Sequence, residues 1–154
     1  GAGADKMAAA SGLSVDDVNA ILPTYDDLMG LTDLTKAIYE VAAERSPHPY
    51  VVTSGGRHEY SDPEKEYTLV NYLMQGSGAD MLKDAVLRLD EEGLADNILV
   101  PVHDEVCFAF PKGEEHLAEQ AAKLMRDDSF SVPMPVDIEG PAPSWGHIYD
   151  KEMA

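Results

Sequence analysis

A chain of 154 residues with 44% hydrophobic content suits one domain or one structural lobe and is too apolar for a disordered segment. Its formal charge of −18, from 11 Lys and Arg against 29 Asp and Glu, argues by itself against a surface that grips nucleic acid. Counterion release from phosphates needs cationic side chains. No apolar run is long enough to span a bilayer, so no membrane partner is expected.

A single cysteine, Cys107, excludes an internal disulfide, and five scattered histidines show no zinc-ligand spacing. A reducing, cytoplasmic setting is the simple inference. Along the chain, Ser14 with Asp17 three residues on opens a helix striped by Val15, Val18 and Leu22, which Pro23 is expected to end or kink. A second helix spans Thr32 to Glu44 on Leu34, Ile38 and Val41. Tyr50-Val51-Val52-Thr53, Ser54-Gly55-Gly56 and Arg57-His58-Glu59-Tyr60 then read as a hairpin with a glycine turn.

From about Glu64 to Glu92 the pattern is one long helix, closed by Gly93 and carrying an apolar face of Leu82, Ala85, Val86 and Leu89. Gly76-Ser77-Gly78 interrupts it, and each helical glycine costs about 1 kcal/mol relative to alanine. Such small residues mark a close approach by another backbone or by a ligand. Two β-type runs, Ile98 to Val102 and Val106 to Phe110, flank His103-Asp104-Glu105. A helix from Glu114 to Arg126 turns Leu117, Ala121 and Leu124 inward. Last, Val132, Met134, Val136 and Ile138 alternate as in a strand that Pro133 and Pro135 confine to a sheet edge. The expected class is α+β, with helices packed on one side of a small antiparallel sheet.

Two segments carry chemistry. Asp104 and Glu105 are adjacent carboxylates at a tight turn, the donors that Mg²⁺ prefers, although one hairpin rarely completes a two-metal site. Taken singly, such a pair is more often a solvated turn. A hydrolase with His103 as general base fits no better, because no Ser or Cys nucleophile lies in a recognisable elbow. On the long helix, Tyr67, Asn71 and Gln75 follow at i, i+4 and i+8 along one face. Amides can donate to the purine N3 and pyrimidine O2 acceptors that every base pair shows in the minor groove. A solvent-facing polar stripe is the commoner origin of such a row.

Tyr67-Thr68-Leu69-Val70-Asn71-Tyr72-Leu73-Met74-Gln75-Gly76-Ser77-Gly78-Ala79-Asp80 and Leu99-Val100-Pro101-Val102-His103-Asp104-Glu105 occur together, one helix and one short turn apart. They resemble the long palm helix and motif C of family A (bacterial polymerase I-like) DNA polymerases, in particular a phage-type member. Thr53-Ser54-Gly55-Gly56-Arg57 is similar to the family's hairpin before that helix. Trp145 and Gly146 fall near its terminal Trp-containing segment.

The resemblance implies that residues 1–49 are the remaining fingers helices and 50–154 the C-terminal palm portion. It implies a catalytic, Mg²⁺-binding role for Asp104, with Glu105 as its acidic companion at the metal. By the same resemblance His103 lies against the primer terminus, Asn71 and Gln75 contact the nascent duplex, and Arg57 stands near DNA. Primer-template DNA and deoxynucleoside triphosphates are the implied partners. Tyr67 departs from the family, which usually has an arginine there. The motif A aspartate and the motif B helix have no counterpart in these residues. The chain therefore reads as cut within the fingers, and a missing N-terminal polymerase part, from the same parent chain or a separate subunit, is expected to be needed for activity. That part would also carry much of the basic surface, although a salt-adapted source would equally account for the acidity. The rival readings are a non-catalytic remnant that binds a protein partner and an unrelated acidic α+β protein.

Overall fold

The structure, a computed structural model, describes residues 3–45 and 47–149. They form six α-helices and four short strands, as an α+β fold in which the strands pair as two separate two-stranded sheets, β1 with β2 and β3 with β4. Contacts divide the chain into two compact units. One takes in the described residues to Val51 together with Glu59–Asn71, and the other takes in Val52–His58 and the described residues from Tyr72 onward.

The first unit begins with α1 (Ala4–Ser11), α2 (Val15–Met29) and α3 (Leu31–Ala43). Ser14 caps α2 as expected, its hydroxyl accepting the Asp17 N–H at 3.1 Å. Pro23 does not end that helix, which runs on to Met29. A proline removes one helical donor at a cost of about 3 kcal/mol. The stop is set instead by Gly30, whose φ of 61° lets its N–H return to the Asp26 carbonyl. The Asp26 side chain reinforces it by accepting the Thr32 N–H at 3.0 Å. In α3 the buried face is narrower than the sequence pattern implies: Ile38 and Ala42 are buried, whereas Val41 is 49% exposed.

Strands β1 (Tyr50–Val52) and β2 (His58–Tyr60) make the expected glycine-turn hairpin. Near its open end, Tyr50 and Tyr60 meet ring to ring at 5.1 Å, with the Arg45 guanidinium 4.5 Å from the Tyr50 ring. The buried Ser61 hydroxyl donates to the Lys65 carbonyl at 2.9 Å, tying the chain into a 3-10 turn over Glu66–Thr68 that leads into α4 (Leu69–Glu91).

In the second unit α4 ends as the sequence predicts. Gly93 takes a φ of 76°, and the Leu94 N–H reaches back to the Leu89 carbonyl at 2.8 Å. Leu89, Leu94 and Ala121 form a buried core, with Ile98, Phe108, Phe110, Leu117, Leu124 and Met125 packed around it. Helix α5 (His116–Met125) is held to α4 by Arg88, which donates to the Leu124 carbonyl at 2.6 Å and the Met125 carbonyl at 3.3 Å. The strand expected over Val132 to Ile138 does not form, and only an isolated bridge pairs Met134 with Asp127. Pro133 and Pro135 remove the backbone donors on both sides of Met134, so a ladder cannot extend. Helix α6 (Trp145–Tyr149) closes the described chain.

Leu89 has no exposed surface and anchors this core. Leu89→Ala is expected to lower stability by about 3 kcal/mol, read as an earlier urea midpoint with little change in slope.

Candidate active site

Strands β3 (Ile98–Val102) and β4 (Glu105–Phe108) pair antiparallel, and the Val102 to Glu105 pair closes a turn whose two free residues are His103 and Asp104. His103 has a φ of 54°, the only positive value at a non-glycine residue among the described residues. Such a conformation in a non-glycine residue persists when the surroundings enforce it and is concentrated at functional sites. Here the enforcing frame is the ladder on both flanks. It leaves His103 and Asp104 exposed at the tip.

Glu105 behaves differently from its neighbour. It is half-buried, and its Oε1 accepts the Trp145 indole N–H at 2.9 Å and the Cys107 thiol at 3.5 Å. Burial, with the Glu105 carboxylate beside it, pushes the Cys107 thiol above its ordinary range. A protonated thiol is a poor nucleophile, which removes Cys107 as a reactive group at neutral pH.

On α4, Asn71 and Gln75 are both exposed and one helical turn apart. Tyr67, 68% exposed, lies in the 3-10 turn before the helix, so the expected stripe keeps two of its three members on α4. Gly76 is buried, and the close approach inferred from Gly76-Ser77-Gly78 is made by the tip of the β1–β2 hairpin at Gly76 and Ser77 but not at Gly78, where an added Cβ would meet nothing within 4 Å. The Ser54 N–H donates to Ser77 Oγ at 3.0 Å, and Arg57 Nη2 donates to the Gly76 carbonyl at 3.0 Å.

That approach centres on a residue whose role the sequence did not disclose, Asp80, which is 8% exposed. Its Oδ2 accepts the Thr53 hydroxyl and, at 3.2 Å, the Gly55 N–H. Its Oδ1 accepts Arg57 Nε at 3.2 Å and pairs with Arg57 Nη2 at 3.1 Å, with Lys83 Nζ at 3.9 Å. A Cβ on Gly55 would lie 2.9 Å from the Asp80 Cγ, so this approach requires glycine. The Thr53 hydrogen bond, more than any other contact, holds the Asp80 carboxyl below its ordinary value; burial opposes it, and Gly55 and Arg57 assist. The available signal was an acid on a helix face otherwise suited to packing, four residues beyond Gly76.

Among the described residues no group of three or more His, Cys, Asp or Glu side chains converges as a metal site. The turn supplies oxygen donors of the kind Mg²⁺ takes, which fits part of a site completed by phosphates, water and a further carboxylate.

The model for DNA polymerase family A matches residues 1–147. The chain belongs to that family. It is 27% identical to the DNA polymerase of Mycobacterium phage D29 over 150 residues, covering 97% of this chain and 24% of the relative. It is 30% identical to the DNA polymerase of Mycobacterium phage L5 over 151 residues, covering 97% of this chain and 25% of that one. Among solved structures it is similar to the POL domain of Pol1 from M. smegmatis in complex with DNA primer-template and dNTP. That likeness has a TM-score of 0.63 at 26% identity and covers 79% of this chain and 24% of the other. The chain thus spans about a quarter of the length of these relatives.

Because the folded Asp80 carboxyl titrates below its unfolded value, its contribution is complete above the ordinary carboxylate range and is lost as pH falls through the lower, folded value. Asp80→Asn should therefore cost about 2 kcal/mol near neutrality, and the gap to the parent chain should close in acid. Urea unfolding of both chains across that pH range checks this, and a gap independent of pH would refute it.

Proposed function

We propose that this chain is the fingers-to-palm, C-terminal part of a template-directed DNA polymerase, with residues 1–49 the last fingers helices and 50–154 the second part of the palm. It works with an N-terminal polymerase part, supplied by the same parent chain or by a separate subunit, and is inactive without it. The observation that carries this reading is the exposed Asp104 at the tip of a strained two-residue turn, in a family whose members copy DNA.

In this reading Asp104 holds Mg²⁺, with Glu105 as the second acidic residue at the metal. The ion, when bound, supplies positive charge against the charge that develops on the transferred phosphoryl group. His103, held outward by its backbone, lies against the primer terminus. Asn71 and Gln75 donate from α4 to the duplex, Gln75 to minor-groove acceptors that do not depend on sequence. Arg57, fixed by Asp80 and with 41% of its side chain exposed, stands near DNA. Primer-template DNA and deoxynucleoside triphosphates are the ligands, and the cytoplasm is the compartment, where Cys107 stays reduced.

A second reading, a non-catalytic remnant that binds a protein partner, is favoured by Leu99, 67% exposed, and Val100, 41% exposed, on β3. In the polymerase reading this strand instead receives the N-terminal part.

Primer extension decides between them, run with Mg²⁺ and four nucleotides on this chain alone and on its mixture with the upstream polypeptide. We expect extension only in the mixture, reduced about a hundredfold or more by Asp104→Asn, which corresponds to ~3 kcal/mol of transition-state stabilisation. A mixture that stays inactive while light scattering shows a stable complex would favour the binding remnant. A gel shift adds a separate expectation: at −18 the chain alone should leave duplex DNA unshifted at physiological salt, and the mixture should retard it.

A further inference from the structure

We propose that Trp145 is a positioning residue for the acidic turn: its indole N–H holds the Glu105 carboxylate and thereby braces the β3–β4 hairpin on α6. The inference rests on the polymerase reading for its consequence, although the contact itself does not.

Trp145 and Glu105 are 40 residues apart in sequence, and the indole Nε1 to Glu105 Oε1 distance is 2.9 Å. A hydrogen bond to a carboxylate is roughly twice as strong as a neutral one, and a half-buried acceptor loses more when its donor is removed. The Cys107 thiol shares the same oxygen at 3.5 Å from within β4. Glu105 is also the strand residue that closes the turn opposite Val102, so whatever fixes its side chain fixes the turn's downstream flank. Asp104, one residue upstream, is exposed, and among the described residues no hydrogen bond engages its side chain. The two acids are therefore held differently: Asp104 stands exposed at the tip, and Glu105 is tethered through Oε1.

The far end of the brace is itself organised. Ser144 Oγ and His147 Nδ1 lie 2.7 Å apart, and the His147 N–H donates to the Ser144 carbonyl at 3.0 Å. This short capped turn presents the first residue of α6 to the hairpin. Trp145 remains 49% exposed, so its ring is not a core side chain whose main contribution is burial. Its indole N–H makes a directional contact with the hairpin.

A brace of this kind acts on geometry. Misplacing a catalytic group by about 1 Å can cost a hundredfold in rate, and a change that affects only the transition state lowers kcat while leaving KM unchanged. Trp145→Phe deletes the N–H and keeps an aromatic ring. In the mixture with the upstream polypeptide it should lower kcat about tenfold with nucleotide KM unchanged. A wild-type kcat would overturn the proposal, as would a loss that vanishes once rates are expressed per folded enzyme. The second arm needs no activity. Trp145 is the only tryptophan in the chain, so the fluorescence comes from this side chain alone. Glu105→Ala should shift the emission to the red and make acrylamide quenching stronger. Glu105→Gln, whose amide oxygen still accepts, should keep the parent spectrum. Unchanged emission and quenching in Glu105→Ala would overturn the contact. A mixture inactive even with the parent chain would sink the polymerase reading instead, and the fluorescence arm would still decide the brace.

Discussion

The second unit depends on one buried carboxylate. Asp80 gathers a hydroxyl, a backbone N–H and a guanidinium from the five residues at the tip of the β1–β2 hairpin, and it does so from the middle of α4. A two-stranded hairpin is marginal in water by itself. Docked through Asp80 it becomes a fixed feature of the helix, and Arg57 changes from a mobile cation to a strut between Asp80 and the Gly76 carbonyl. The Arg57 donor on the Gly76 carbonyl and the Ser54 N–H on Ser77 Oγ place the hairpin tip against this stretch of the helix. A larger network of neutral contacts could dock the hairpin too, but it would not lock a cation in register with the helix.

The acidic turn solves the opposite problem. An exposed carboxylate can be held stiffly without burial, which would disfavour its charge. The β3–β4 ladder gives stiffness from below, the left-handed His103 fixes the direction of exit, and Glu105 ties the downstream flank to α6. Both devices place one acid where it is satisfied so that a neighbouring polar group can stay exposed. Asp80 does this for Arg57, and Glu105 does it for Asp104.

The long helix, its Gly93 stop, the two hairpins and the α5 face were all legible in the sequence. Each rests on a local rule in which spacing, a glycine and an apolar period agree. Pro23 and the 132–138 segment misled because alternation and proline are weaker signals than the glycine at position 30 and the lost donors at positions 133 and 135. The candidate site was legible only in part. Its proposed residues stand out because they are unusual in their places: amides on a helix and paired acids at a turn. Their supports, Asp80 with Thr53 and Trp145 with Glu105, join residues 27 and 40 positions apart, and no spacing rule reaches across such separations.

The charge does not exclude the family to which the chain belongs, and the reason is physical. Net charge describes the long-range field and so governs nonspecific affinity, whereas a metal-assisted site needs carboxylates at one point and tolerates acidity elsewhere. A chain of −18 does belong to the DNA polymerase family A, and in the proposed reading the cationic grip comes from the N-terminal part. Within this chain Arg88 is committed to an internal strut on the last carbonyls of α5, whereas Arg57, bound to Asp80, keeps 41% of its side chain exposed. An arginine used for internal order leaves less cationic surface on an already acidic chain, which the proposed N-terminal part would have to offset.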